Sequence, residues 1–341
     1  AVLKNIGKNV FKGCAALETV TVPNGVRSIG YGMFEGCSAL TTINLPDSVE
    51  VIGEHAFYNC SNLQTITVPD SVNEIGAYAF SNCASATSAY IGHNAKSISE
   101  YAFNGCVALN TVEIASAVKE FSEGMFMGCK ALSTIDIAEG VETINKNAFK
   151  GCSSLENVAL PESLKAINDS AFDGTAIASI YIPADVGVIE KGAFTNCENL
   201  AVIDVDAKND NYADIDGILY DIALNTLILC PAGKTGEVEV WTGTETIAED
   251  AFIGCDGLTK IIVPRSVTSI AANRFNNCSD SLIIKGDCDS TAIAYADFRG
   301  IDTEIEHVGT KKWAETLAPT CLVDGSKELS CSACGYSYGS E

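Results

Sequence analysis

Ala56-Phe57-Tyr58-Asn59-Cys60-Ser61-Asn62-Leu63-Gln64-Thr65-Ile66-Thr67-Val68-Pro69, running on through Asp70-Ser71-Val72-Asn73-Glu74-Ile75-Gly76, is one cycle of a pattern that fills most of the chain. Thr65 to Val68 alternates polar and apolar residues, the period of a strand with one buried face. Pro69 carries no amide hydrogen and ends that strand. Val72 and Ile75 predict a second short extended segment, after which Ala79-Phe80 turns the chain into the next cycle.

Working outward, Phe11, Phe34, Phe57, Phe80, Phe103, Phe126, Phe149 and Phe172 stand 23 residues apart, Phe194 follows after 22, and Phe252 and Phe275 resume the 23-residue step. A Cys lies three residues after each, except at Thr175, and a Leu usually follows three residues later, as at Leu17, Leu40 and Leu63. A fixed period of this length is the signature of stacked repeats. A single unit cannot bury its own apolar face, so neighbours must cover it. The Gly after the second Ile (Gly30, Gly53, Gly76) becomes Ser99, Asn145, Asn168 or Glu190 elsewhere, so that position favours Gly without requiring a positive φ throughout.

The 58 residues from Phe194 to Phe252 break the rhythm. Asp216-Gly217-Ile218-Leu219-Tyr220 and Leu227-Ile228-Leu229-Cys230-Pro231 flank Leu224-Asn225 and predict a β-hairpin inserted at about 206–236. Leu282-Ile283-Ile284 predicts a last strand, and Ala292 to Phe298 a short closing helix. The repeat array is placed at 1–305, with a small Cys-containing module at 306–341.

The phrase AF-x-[GN]-C-x-x-L-x-x-I-x-[VL]-P followed by V-x-x-IG, as it stands from Ala56 to Gly76, resembles the BspA-like leucine-rich repeats of bacterial surface proteins. The resemblance spans roughly residues 1–305, including the DGILY segment. It implies an α/β, strongly β-rich fold: a right-handed leucine-rich-repeat solenoid with a parallel β ladder and about 23 residues per repeat. It also implies an exported, extracellular protein of the bacterial cell surface, linked to adhesion, and it carries no catalytic residues. The tail from His307, with Trp313, Cys321 and Cys331-Ser332-Ala333-Cys334, resembles short Cys-containing modules appended to surface proteins of anaerobic gut bacteria.

Composition narrows the function further. The chain has 341 residues and a net charge of −23, so it repels phosphate backbones and anionic lipid. Nucleic acid is not an expected partner, and no apolar run approaches the ~20 residues of a membrane span. The chain opens at Ala1-Val2-Leu3 inside a repeat and without an initiating Met, the pattern of a trimmed or processed form whose targeting segment would lie upstream.

Ten of the fifteen cysteines sit in the repeat. They read as small buried hydrophobes rather than disulfides or metal ligands, because side chains on a ladder point the same way. Cys321, Cys331 and Cys334, with His307, could hold zinc, form a disulfide, or remain thiols; Cys-x2-Cys suits one edge of a tetrahedral site. The acidic run Asp204, Asp206, Asp210, Asp214 and Asp216 lacks the Gly and Glu of an EF-hand loop and reads as turns. His55 and His93 read as surface residues without a partner nucleophile, and no phosphate loop or nucleophile elbow is present.

The outward strand positions form two ladders. One is mostly Thr, from Thr19 to Ser179. The other varies: Thr21, Asn44, Thr67, Tyr90, Glu113, Asp136, Ala159, Tyr181, Asp204. Tyr90, Glu113, Asp136 and Tyr181 are the expected ligand contacts, pointing to solvent from a rigid frame. The expected function is an interaction or adhesion protein, not an enzyme, that binds a protein or glycan on host or neighbouring cells. The alternative is a structural spacer that displays another domain. No cofactor is expected apart from the possible zinc.

Overall fold

The computed structural model describes residues 6–115, 118–270, 275, 277–307, 311–317, 326–333 and 337–340. The chain is a β-solenoid of about 12 turns of ~23 residues, with parallel strands and few helices. It divides into two compact units: Ala1–Gly217 with Pro231–Gly233, and Ile218–Cys230 with Lys234–Glu341.

In the first unit each turn has three sides. The first is the predicted strand, with Thr65–Val68 pairing in parallel with Ser88–Ile91 and that with Thr111–Ile114. Register is held at one repeat, so Thr65, Ser88 and Thr111 lie side by side, as do Thr67, Tyr90 and Glu113. The second side is the shorter extended segment, seen as a ladder of Ser28–Ile29, Val51–Ile52, Glu74–Ile75 and Ser97–Ile98. The third is a stack of turns around each Phe, tied rung to rung by bonds such as Phe34 N to Ala56 O (2.8 Å) and Phe57 N to Ala79 O (2.7 Å).

These turns explain the [GN] in the repeat. The residue two after each Phe has φ near +60 to +75°, and it is Gly13, Gly36, Asn59, Asn82, Gly105, Gly128, Gly151, Gly174 or Asn196. Only Gly, and Asn less readily, adopts the left-handed region cheaply.

The core is a set of parallel columns. Phenylalanine rings from Phe11 to Phe194 stack with centroids 5.1–5.8 Å apart and planes within 15° of parallel. Around them lie Leu63, Ile66, Val68, Val72, Ile75 and Ala79, all at 0–1% exposure, and their counterparts in other turns.

Cysteine forms its own column. Cys37 through Cys197 are buried, while Cys14, in the first described turn, is exposed. Each thiol donates to the carbonyl of a Phe one turn back: Cys60 Sγ to Phe34 O at 3.1 Å, Cys106 to Phe80 O at 3.2 Å, Cys152 to Phe126 O at 3.1 Å. A thiol is therefore a compact apolar filler that also serves a buried carbonyl. Where Thr175 replaces Cys, its hydroxyl turns to its own turn's Phe172 O at 2.9 Å and contacts Cys197 Sγ at 3.4 Å.

The acidic run is built as turns. Asn209 is 2% exposed; its Oδ1 accepts from Asn211 N and Tyr212 N, and its Nδ2 donates to Pro183 O and Val186 O. Asp206 Oδ1 accepts from Lys208 N, and Asp214 Oδ1 from Val205 N.

The second unit holds the hairpin, Ile218–Asp221 antiparallel to Thr226–Leu229. Thr226–Leu229 then pairs in parallel with Thr246–Ile247, and that with Ser269–Ile270. A second ladder runs Gly236–Glu239, Leu258–Ile262, Ile283–Asp287, Asp302–Glu306. Parallel pairing thus goes one strand beyond the expected last one at Leu282–Ile284. The helix Thr291–Arg299 connects the final two strands and buries Ala292, Ile293 and Ala296. Ser290 caps its start, and Gly300, at φ 70°, ends it. Lys311–Leu317, Ser326–Cys331 and Ser337–Ser340 form an antiparallel sheet in the same unit.

Candidate functional site

Two surfaces of the first unit carry chemistry. The strand face places Tyr90 beside Glu113, Asp136 beside Ala159, and Tyr181 beside Asp204. Glu113, Asp136 and Tyr181 are exposed. Tyr90 is only half-exposed, which departs from the expectation that all four point freely to solvent. Both tyrosines are engaged. Tyr90 Oη reaches Asp70 Oδ1 at 3.5 Å, and the same oxygen accepts from His93 N and meets His93 Nδ1, each at 3.0 Å. Those contacts hold the Asp70 carboxyl below its ordinary value, with the His93 side-chain bond the largest cause. Tyr181 Oη donates to Asp206 Oδ2, which pushes the phenol up to about 12 and holds Asp206 down.

The second surface lies on the turn side. The residue two before each Phe also has positive φ, from +55 to +60° in most turns. Other turns fill it with small residues: Asn9, Gly32, Gly124, Asn147, Ser170, Gly192 or Asp250. Three consecutive turns instead place His55, Tyr78 and Tyr101 there, at φ 57, 56 and 57°. Left-handed backbone costs a bulky L-residue roughly 1–2 kcal/mol. The three rings form a ridge: His55 and Tyr78 stack at 5.2 Å, Tyr78 and Tyr101 at 5.0 Å, with planes 7° from parallel in both pairs. Tyr31 and Tyr58 meet His55 edge-on at 5.6 and 5.2 Å. The rings are half-exposed. His55 is thus a member of a stack rather than an isolated surface residue, with Nδ1 3.4 Å from Glu54 Oε1.

The ridge ends where Tyr101 lies over Gly124; a Cβ there would sit 2.2 Å from Tyr101 Cε1. Tyr101 Oη donates to Glu123 Oε1 at 2.6 Å, which raises the phenol to about 12. Beside it opens a groove of about 470 Å³ lined by Tyr78, Tyr101, Ser97, Ser99, Glu100, Glu120, Ser122, Glu123 and Asn145. These residues offer ring faces, hydroxyls and carboxylate acceptors, and none is cationic. Such a lining suits a ligand that presents C–H faces and hydrogen-bond donors, not a phosphate or a carboxylate. The spacing His55–Tyr78–Tyr101 was visible in the sequence, but its strain appears only once the backbone is known.

Tyr220 on the hairpin is fully buried, and its hydroxyl accepts from Trp241 N, so it offers no contact surface. Of the tail residues, Cys321 and Cys334 lie outside the described residues. His307 and Cys331 come together, joined by Cys288, which the sequence reading did not single out.

No helix among the described residues is long and apolar enough to cross a membrane. The family model for the BspA type leucine rich repeat region matches residues 4–133, 121–216 and 232–308. A leucine-rich repeat protein from Bacteroides ovatus is similar in fold, at 23% identity and a TM-score of 0.64, covering 89% of this chain and 88% of that one. A leucine rich cell surface protein from Faecalibacterium prausnitzii is 26% identical with a TM-score of 0.62, covering 86% and 88%. No curated protein sequence matches the chain.

Proposed function

Because the chain belongs to the BspA-type leucine-rich-repeat family, we propose that it is an extracellular interaction protein of a bacterial cell surface. In this reading it binds a glycan or a protein segment without transforming it, and the ridge of His55, Tyr78 and Tyr101 with the adjoining acidic groove is the contact. The observation that carries this is conformational. Three successive turns hold large aromatic residues in a backbone region that Gly, Asn, Ser or Asp fills elsewhere in the same array. Strained residues of this kind cluster at ligand sites. Stacking offsets part of the strain, at about 0.5–1.5 kcal/mol per pair. A cell-surface setting is supported by the description of the Faecalibacterium relative.

The strand face of Tyr90, Glu113, Asp136 and Tyr181 is the second reading, supported by the register that sets Tyr90 against Glu113. It ranks second because Tyr90, Glu113, Asp136 and Tyr181 sit on ordinary strand backbone, without the left-handed conformation that marks the ridge.

The test compares two variants on glycan arrays and host-cell protein extracts. One is Tyr78→Asn with Tyr101→Asn, using a residue that the same turn position accepts at Asn147. The other replaces Tyr90, Glu113, Asp136 and Tyr181 together by Ala. Loss of an anchor should weaken binding ~5–30-fold, the ~1–2 kcal/mol of a contact residue. The ridge variant should show that loss and the strand-face variant should not. The reverse pattern moves the site to the strand face. A parent chain that binds neither probe supports the spacer alternative.

A further inference from the structure

In the second unit, Cys288, His307 and Cys331 bring two sulfurs and an imidazole nitrogen together, all within 4.8 Å of one another. They come from three separate elements. The parallel pairing of Ile283–Asp287 with Asp302–Glu306 sets Asp287 beside Glu306, and Cys288 N donates to Glu306 O at 2.9 Å. Cys288 and His307, each one residue further on, therefore leave the sheet side by side. Lys285 reinforces the pair through Glu304 and Glu306 at 3.2 and 2.9 Å. Cys331, buried at the end of Ser326–Cys331, approaches from the antiparallel sheet of the tail, with its sulfur 3.9 Å from that of Cys288.

We propose that these three residues bind a zinc ion that fastens the tail sheet to the last turn of the repeat array. In a tetrahedral site with Zn–S near ~2.3 Å, two thiolates stand ~3.8 Å apart, close to the separation seen here. Two thiolates and an imidazole form a soft-to-borderline donor set that favours zinc over magnesium or calcium. Cys334, the Cys-x2-Cys partner of Cys331 in the sequence, lies outside the described residues, and the site rests on Cys288, His307 and Cys331. The new element is Cys288. It belongs to the repeat array, so the metal is shared between array and tail rather than held by the tail alone. Binding releases the two thiol protons of Cys288 and Cys331.

The full chain, reduced, loaded with zinc and dialysed, should carry one zinc per chain by elemental mass spectrometry. Cobalt in its place should show the strong visible absorption of a tetrahedral thiolate site. Cys288→Ser should weaken zinc binding by at least ~10–100-fold, the range seen when mere outer-sphere partners of a metal are lost. In the parent, zinc should protect Cys288 from alkylation, and a chelator should expose it, which tests the site even if the variant folds poorly. Zinc binding unchanged in Cys288→Ser, or Cys288 alkylated equally with and without zinc, would overturn the shared site. A reduced parent that takes up no zinc would do the same, as would Cys288 and Cys331 recovered as a disulfide from zinc-loaded protein.

Discussion

Raising the pH from 7 to 10 should destabilise this protein through its buried thiols. Burial pushes Cys60 and Cys152 up to about 12 and Cys197 up to about 11, from an ordinary 9.0. Cys83 and Cys129 are also raised by burial. A group whose pKa is higher in the folded state contributes its full stability below the unfolded pKa. That contribution is lost as the pH climbs toward the folded value. The window therefore opens near 9 and extends to 11 or 12. At pH 10 an unfolded thiol has moved one unit past its pKa while the folded one remains protonated, a difference of about 1.4 kcal/mol. Cys60, Cys152 and Cys197 together should remove about 4 kcal/mol between pH 7 and pH 10, and Cys83 and Cys129 add to that. This is a large share of the ~5–15 kcal/mol that holds a typical domain. The assay is urea unfolding under reducing conditions at pH 7, 8, 9 and 10. Staying at or below 10 limits the contribution of Tyr101 and Tyr181, whose raised values act above that. Cys60→Ala with Cys152→Ala should be less stable at pH 7 yet show a visibly flatter pH dependence. A midpoint that does not move between pH 7 and 10, or rapid labelling of the repeat thiols in the native state at pH 8, would refute the reasoning.

Two further outcomes follow from the turns. Gly124→Ala should cost about 2–3 kcal/mol, combining a left-handed backbone penalty of roughly 1–2 kcal/mol with displacement of the Tyr101 ring; adding Tyr101→Ala should recover the steric part, read by urea midpoint. Thr175→Cys should continue the column, donating to Phe149 O in place of Phe172 O. It should stay within ~1 kcal/mol of the parent and add one thiol that native-state labelling does not reach.

Much of the fold was legible before the structure because each repeat restates it. The Phe interval, the alternation at Thr65–Val68, Pro69 and the pair Val72 and Ile75 are independent signals of one rung. Repetition turns weak local signals into a strong one. The hairpin around Leu224-Asn225 and the helix after Leu282–Ile284 could also be read, from apolar runs and turn residues. The binding surface was harder. His55, Tyr78 and Tyr101 share a spacing as regular as that of the phenylalanines, but their backbone strain is a property of φ, which sequence does not display. Tyr90 was legible as a strand-face residue, whereas its tie to Asp70 depends on side chains 20 residues apart. Cys288 was missed for a related reason. It lies 43 residues from Cys331, and only strand register and the tail's docking bring their sulfurs within 3.9 Å.

The constant register also makes the molecule a ruler. Rings on the turn side recur every 5.0–5.2 Å from His55 to Tyr101. An extended peptide laid along the same axis advances ~3.3 Å per residue. Three peptide residues therefore match two rungs, and the two lattices come back into phase at that interval. Because side chains of an extended chain alternate between faces, the same face returns in phase only after about six residues, beyond the two intervals that the three rings span. Mismatched spacings would drift out of step within a few turns, so length and periodicity, as well as chemical identity, become grounds for discrimination.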